Sequence, residues 1–269
     1  MCKTIGLVSI KGGVGKTTIS ASLASSLANH FGKKVLLVDA NYSAPNLGLH
    51  MDIVEPDKTI HHALDNRVHM KSAIHNKFGV DVIPGNYIYN KRLNYFKLKY
   101  KLNILKKDYD FIVIDSSPSM NDEVLSTMFA SDLLFLVTTP DYPTMSCTLK
   151  TAKMAKQRKI PIAGLIVNKV RDPSYELTLK ELEHSTNIPV VARIPDDKSV
   201  GRSLFTRIPA TIYKKRSGFS KEIGRLCSAI TMEKRRNSIF RKLLPFNFRR
   251  EEINRELLKE KFYHSIFEG

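Results

Sequence analysis

Apolar positions along the chain fall into two kinds of run. Short, β-branched, nearly unbroken stretches occupy residues 4–10, 35–39, 80–83, 111–115, 133–137, 163–167 and 189–193. Between them lie longer stretches with apolar residues at helical spacing. Unbroken apolar strands are those buried on both faces, so the pattern predicts a mainly parallel sheet with helices above and below it. The clearest helix follows the first run, where Ile19, Leu23, Leu27 and Phe31 recur at four-residue steps and Gly32 stands as a stop. The alternation continues to about Thr231, after which basic and aromatic residues take over. The expected organisation is a doubly wound α/β domain, 1–231, on a seven-stranded sheet, followed by a C-terminal amphipathic helical tail, 232–269.

Composition narrows the class. Apolar residues make up 42% of the 269, yet no run reaches membrane-spanning length, and the apolar start ends at a glycine loop. The reading is a soluble, cytoplasmic, uncleaved chain. Cys2, Cys147 and Cys227 lie far apart, without the paired spacing of a zinc or iron–sulfur site or a disulfide framework. The formal net charge of +17 favours phosphate-rich partners. It is unevenly placed, because residues 82–107, 142–171 and 198–221 contain no acid and seven Lys or Arg each.

The chemistry concentrates after the first strand, in Lys11-Gly12-Gly13-Val14-Gly15-Lys16-Thr17-Thr18. This fits the phosphate-loop pattern G-x-x-x-x-G-K-[ST] with Ile10 at the first glycine position. The glycines let backbone N–H groups face phosphate oxygens, and the helix that follows points its positive end at the same anion. Lys16 would neutralise the β- and γ-phosphates, the Thr17 hydroxyl would join the Mg²⁺ shell, and Thr18 would contact the α-phosphate. Asp39 and Asp115 each end a strand at the edge of the sheet where α/β ligands bind, and Asp39 is a candidate catalytic residue with Lys11, Lys16 and Asn41.

The run KGGVGKTT resembles the deviant Walker A loop of the MinD/ParA family, and the resemblance spans about residues 1–231. It implies a P-loop ATPase that binds ATP and Mg²⁺ and forms a homodimer with the nucleotide sandwiched between protomers, where Lys11 reaches across to the partner's phosphates. It also implies that Asp115 holds the Mg²⁺ water shell as the Walker B carboxylate. Residues 39–47 resemble the first switch, but Asn41 stands where many relatives carry a second aspartate for the attacking water. Asn41 orients a water without taking its proton, so slow hydrolysis is expected, with an ATP-binding switch of negligible turnover as the alternative. Asn168 resembles the family's adenine-reading asparagine, and Pro195 and Asp196 resemble the loop that closes over the base. Without paired cysteines the chain does not look like the reductase or iron–sulfur carrier branches. With only Tyr263 in its tail it does not look like the tyrosine-kinase branch.

The tail carries a further expectation. Residues 235–244 place Ile239, Phe240, Leu243 and Leu244 on one helical face between basic flanks, and Pro245 ends the segment. It resembles the membrane-targeting tail of the MinD branch, which implies an anionic surface at the inner face of the cell membrane in the ATP state, and an activating partner protein. Ile253, Leu257, Leu258, Ile266 and Phe267 define a second segment, rich in both charge signs, that suits docking on protein. Two alternatives stand beside this reading. Both tail pieces pack on the parent domain, or residues 90–107, with Tyr95, Phe96 and Tyr100 among lysines, bind DNA without sequence preference as in ParA-like partitioning. For 90–107 the competing reading is a helix with Leu98, Leu102 and Leu105 inward.

Overall fold

The computed structural model describes residues 2–89, 91, 93–172, 174–233 and 250–267. The strands are β1 (Lys3–Val8), β2 (Val35–Ala40), β3 (His75–Lys77), β4 (Val80–Ile83), β5 (Phe111–Ser116), β6 (Leu133–Thr138), β7 (Ile162–Val170) and β8 (Val190–Pro195). They form one sheet in the order β3-β4-β2-β5-β1-β6-β7-β8. Every neighbouring pair is parallel except β3–β4. The helices are α1 (Lys16–Phe31), α2 (Leu47–His50), α3 (Ile60–Leu64), α4 (Lys97–Asn103), α5 (Asp122–Ala130), α6 (Tyr142–Gln157), α7 (Leu179–Thr186), α8 (Lys198–Phe205), α9 (Ala210–Tyr213), α10 (Gly218–Thr231) and α11 (Arg250–Phe267).

The unbroken apolar runs have the cause the sequence suggests. In β5, Phe111 and Val113 enter a core shared with Ile5, Leu7, Leu37 and the buried side of α1, while Ile112 and Ile114 enter another with Leu36 and Val38. Both faces are covered, so neither tolerates a polar residue until the strand reaches its C-terminal end. Ile19, Leu23 and Leu27 are buried in α1, and Gly32 ends the helix at φ 64 with its N–H on the Ala28 carbonyl.

The sheet has eight strands rather than seven. The added strand, β3, reads His-Asn-Lys and carries no apolar residue; its antiparallel pairing with β4, not burial, makes it a strand. Among the described residues of 90–107 the helical reading holds in α4, since Leu98, Leu102 and, just after it, Leu105 are buried, while Phe96 and Tyr100 face outward.

The second tail segment is a helix, α11, but its buried face differs from the apolar set read from the sequence. Leu258 is buried, whereas Ile253 and Leu257 are half exposed and the covered positions beside Leu258 are Glu251, Asn254 and Arg255. The reason is the surface beneath. The strand β8 is the last in the sheet, and Asn254 donates to the Val190 carbonyl (2.8 Å) and Arg255 to the Val191 carbonyl (3.0 Å). Donors are needed there more than methyl groups. Segment 235–244, with Ile239, Phe240, Leu243 and Leu244, lies outside the described residues, as do the side chains of Ile266 and Phe267. Among the described residues no helix is long and apolar enough to cross a membrane.

Candidate functional site

Because β1 lies between β5 and β6, the loop leaving its C-terminal end opens in the middle of the sheet. Gly13 (φ 79) and Gly15 (φ 89) take left-handed backbone there, and a Cβ on Gly15 would stand 2.3 Å from Asn168 Nδ2. Glycine is therefore required at Gly15 both for conformation and for space. No side chain caps the first turn of α1, which begins at Lys16. Its N–H groups remain available as anion donors.

The loop lines a cavity of about 310 Å³ together with Asn41, Asn46, Asn168, Pro195 and Asp196. The structure thus gathers around one space residues that the sequence separates by up to 208 positions, from Lys11 to Phe219. The Lys16 ammonium is buried at its floor, donating to Asp115 Oδ1 (3.3 Å) and to the Ser116 carbonyl. Lys11 is exposed at the rim. At the other end, Asn168 donates through Nδ2 to the Val14 carbonyl (2.7 Å), which ties β7 to the phosphate loop. Asp196 is held by its N–H on the Val170 carbonyl (2.9 Å) and by an ion pair with Arg171.

The two strand-end aspartates are direct register partners on β2 and β5. Both Asp39 oxygens are engaged by the loop that follows, taking the N–H groups of Asn41 (3.1 Å) and Leu47 (3.1 Å). Burial, and then the charge of Asp115, push its carboxyl up to about 7. Asp39 sits behind the cavity wall and shapes the loop, and Asn41 meets the cavity itself. Asn41 donates its amide to the Ala44 carbonyl, and its Oδ1 is buried with no partner. A buried acceptor without a partner, on a residue that lines a polar cavity, is suited to orienting a water once the loop admits one.

The fit to a magnesium ion rests on Asp115. Its Oδ1 accepts from Ser20 (2.9 Å) and Lys16, while its Oδ2 is buried and unpartnered. Through these bonds Asp115 is fastened to the first turns of α1, which carry Thr17. The Thr17 hydroxyl donates to Asn46 Oδ1 (3.2 Å), leaving its lone pairs for a cation. Thr17 lines the cavity and Asp115 lies behind its wall, so a hard hydroxyl oxygen with a carboxylate placed to act through the ion's water shell suits Mg²⁺. The described residues hold no cluster of His, Cys, Asp and Glu that would take a metal on its own.

Several contributors carried no signal in the sequence. His50 lines the cavity from α2 beside Asn46 of the segment 39–47, and Glu123 and His61 grip the loop after β2 from other elements. Glu123 accepts the Tyr42 and Ser43 N–H groups, both at 3.1 Å. Such partners lie 19 to 81 positions away, and no local pattern marks them.

Residues 2–160 match the AAA domain family. The chain is 31% identical over 229 residues to an uncharacterized ATP-binding protein of Methanocaldococcus jannaschii, covering 84% of this chain and 87% of that one. It is 27% identical to the septum site-determining protein MinD of Thermotoga maritima, over 87% of this chain and 89% of that protein. Its structure is similar to MinD of Pyrococcus horikoshii complexed with Mg-ADP, with a TM-score of 0.81, 28% identity, and coverage of 87% and 97%. The Pyrococcus furiosus cell division ATPase MinD gives 0.82 and 30%, over 86% of this chain and 99% of that one. Likeness in sequence, fold and phosphate loop agrees: the chain belongs to the MinD/ParA family of P-loop ATPases, with ATP and Mg²⁺ as its cofactors.

Proposed function

We propose that the protein is an ATP-switched homodimer that hydrolyses ATP slowly and positions a cellular structure or cargo at a membrane surface. The observation that carries the switch is the pairing of Lys11, exposed at the cavity rim, with Lys16, buried at its floor. One lysine serves the phosphates of its own protomer, and the other is free to serve those of a second copy, adding charge where it develops in phosphoryl transfer. Asn41 orients the attacking water by its unpartnered Oδ1 but takes no proton, which keeps turnover slow. Mg²⁺, when bound, would neutralise charge on the β- and γ-phosphates. Thr17 and Asp115 are the residues that would hold it, and Asn168, Pro195 and Asp196 would close on the base.

Membrane contact is supported by the amphipathic pattern of 235–244, whose flanking helices α10 and α11 both dock on the domain. Burying one Leu or Phe is worth about 1.5–3 kcal/mol, so a single short segment binds marginally. Two segments joined in a dimer gain roughly 10²- to 10⁴-fold by effective concentration. Nucleotide state would thereby set location. A ParA-like reading is favoured by one observation, the outward-facing Phe96 and Tyr100 beside Lys97 and Lys101. An activating partner is expected on either reading.

Co-sedimentation with anionic vesicles separates the two. The full chain is expected to pellet in ATP and not in ADP, and a variant carrying Ile239→Ser, Phe240→Ser, Leu243→Ser and Leu244→Ser should stay in solution. Retention on duplex DNA that collapses as salt rises, with no pelleting, would sink the membrane reading.

A further inference from the structure

We propose that Glu123 is a positioning residue that locks the loop carrying Asn41 to the loop behind Asp115, so that the two move as one unit. The assignment rests on the reading of Asn41 as the residue that orients the attacking water.

Glu123 is at the second position of α5, where a carboxylate ordinarily serves its own helix N-terminus. Here that task is taken by Asn121, whose Oδ1 accepts the Glu123 and Val124 N–H groups (3.1 and 3.4 Å). The Glu123 side chain is thereby released to cross to another element, and it is buried at 2% exposure. Its Oε2 and Oε1 accept the successive N–H groups of Tyr42 and Ser43. One carboxylate on two adjacent amides fixes a peptide in orientation as well as in distance.

The rest of Tyr42 is held equally closely. Its carbonyl accepts from His61 Nε2 (2.9 Å), and its ring stacks on Tyr95 at 4.8 Å and 4°. His61 Nδ1 accepts the Asn86 N–H (3.0 Å), so the ring proton lies on Nε2 and the tautomer is fixed. Of these braces, Glu123 and Ser126, whose hydroxyl meets the Tyr42 hydroxyl at 3.4 Å, stand on the element that grows directly out of the Asp115 strand, and of the two only Glu123 holds the loop's backbone. From Ser116 the chain runs through residues 117–121 into α5. On the other side, Asn41 is bonded to Asp39 and to Ala44 and adjoins Tyr42. A shift at residues 117–121 must therefore drag residues 42–43, and with them the Asn41 oxygen, or break two hydrogen bonds to a buried carboxylate. A structural brace and a positioning residue differ in what they control. The second sets the catalytic step while leaving nucleotide binding intact.

Two measurements on the full chain test this. In native-state hydrogen exchange of the wild type, the amides of Tyr42 and Ser43 should open with those of Glu123 and Val124, at one shared protection. Independent opening of the two pairs would overturn the coupling. Glu123→Gln keeps one acceptor and turns an amide donor toward the second N–H. It should cost roughly 10- to 100-fold in kcat, as a displacement of about 1 Å at a reacting centre does, with ATP Kd unchanged within about twofold. Wild-type kcat in this variant, or equal losses in kcat and in ATP affinity, would overturn the assignment. Retained protection at Glu123 and Val124 shows that the variant is folded. A wild type that turned over no ATP would remove the hydrolysis reading while leaving the exchange test to decide the coupling alone.

Discussion

Asn41 divides its amide between two tasks, the nitrogen closing the loop on Ala44 and the oxygen buried without a partner beside the cavity. Asn41→Asp would keep an oxygen in that place and add a base, a contribution worth about 10²- to 10⁴-fold when geometry is good. The gain is partly offset, since the second carboxylate oxygen would face the Ala44 carbonyl. Steady-state ATPase is expected to rise, by about tenfold. An unchanged or lower rate would mean that Asn41 does not limit turnover. His61 makes the same loop sensitive to pH. Burial comes first among the causes holding its pKa below 6.5, and a proton on Nδ1 would put a donor against the Asn86 N–H. A histidine depressed in the fold lends stability above its unfolded pKa and loses it as pH falls toward the folded value. Comparing wild type with His61→Gln cancels the groups they share. The wild type's lead in Tm should be full above pH 6.5 and shrink below it. A lead that grows on acidification would put the sign, and the assigned tautomer, in error.

Elements were legible where one physical demand acts on every residue in them. Burial on both faces writes an apolar run into β1, β2, β5, β6 and β7, and a helix over the sheet writes the four-residue step of α1. The phosphate loop is legible for a different reason, because turning several N–H groups on one anion forces glycines and a lysine into a fixed spacing. Among the short elements, those without an apolar run left no trace, whereas β4 was legible at 80–83. β3 exists by pairing with β4, and α2, α3 and α9 run four or five residues each. The first switch shows the limit most clearly. Its sequence could be read as a resemblance, but the groups that hold it, Glu123, His61 and Tyr95, are supplied by α5, α3 and the turn before α4. A hydrogen bond to a backbone amide places no demand on neighbouring residue types. The inward face of α11 is obscure for a related cause, since it meets strand carbonyls with Asn254 and Arg255 and leaves Ile253 and Leu257 outside.

At the scale of the molecule, α11 decides how the sheet ends. Strand order leaves β3 and β8 at the two edges. At β8 the exposed strand carbonyls would otherwise offer a template for another chain. α11 closes that edge and is in turn anchored by charge. Arg255, 6% exposed, bonds Glu222 Oε1 (2.6 Å) on α10, and Arg250 and Asn254 both bond Glu183 on α7. Glu222 also takes Arg225 (2.9 Å) and the Arg193 N–H (3.3 Å). Removing one partner of a buried ion pair costs roughly 3–5 kcal/mol, chiefly by stranding the other charge. Arg255→Met should fall near the bottom of that range, because Arg225 still serves Glu222. Adding Glu222→Gln should recover much of the loss, since no buried charge then remains unmatched. Urea unfolding of the single and double variants reads this directly, and a double variant no more stable than Arg255→Met would show that the packing of α11, and not the charge, fixes it. The same geometry governs how the tail is tested. Cutting the chain after Thr231 removes a membrane candidate and an edge cover together, so a truncated chain that fails to pellet with vesicles, or aggregates, reports on β8 as much as on lipid. Substitutions at Ile239, Phe240, Leu243 and Leu244 leave α11 in place and isolate the one effect from the other.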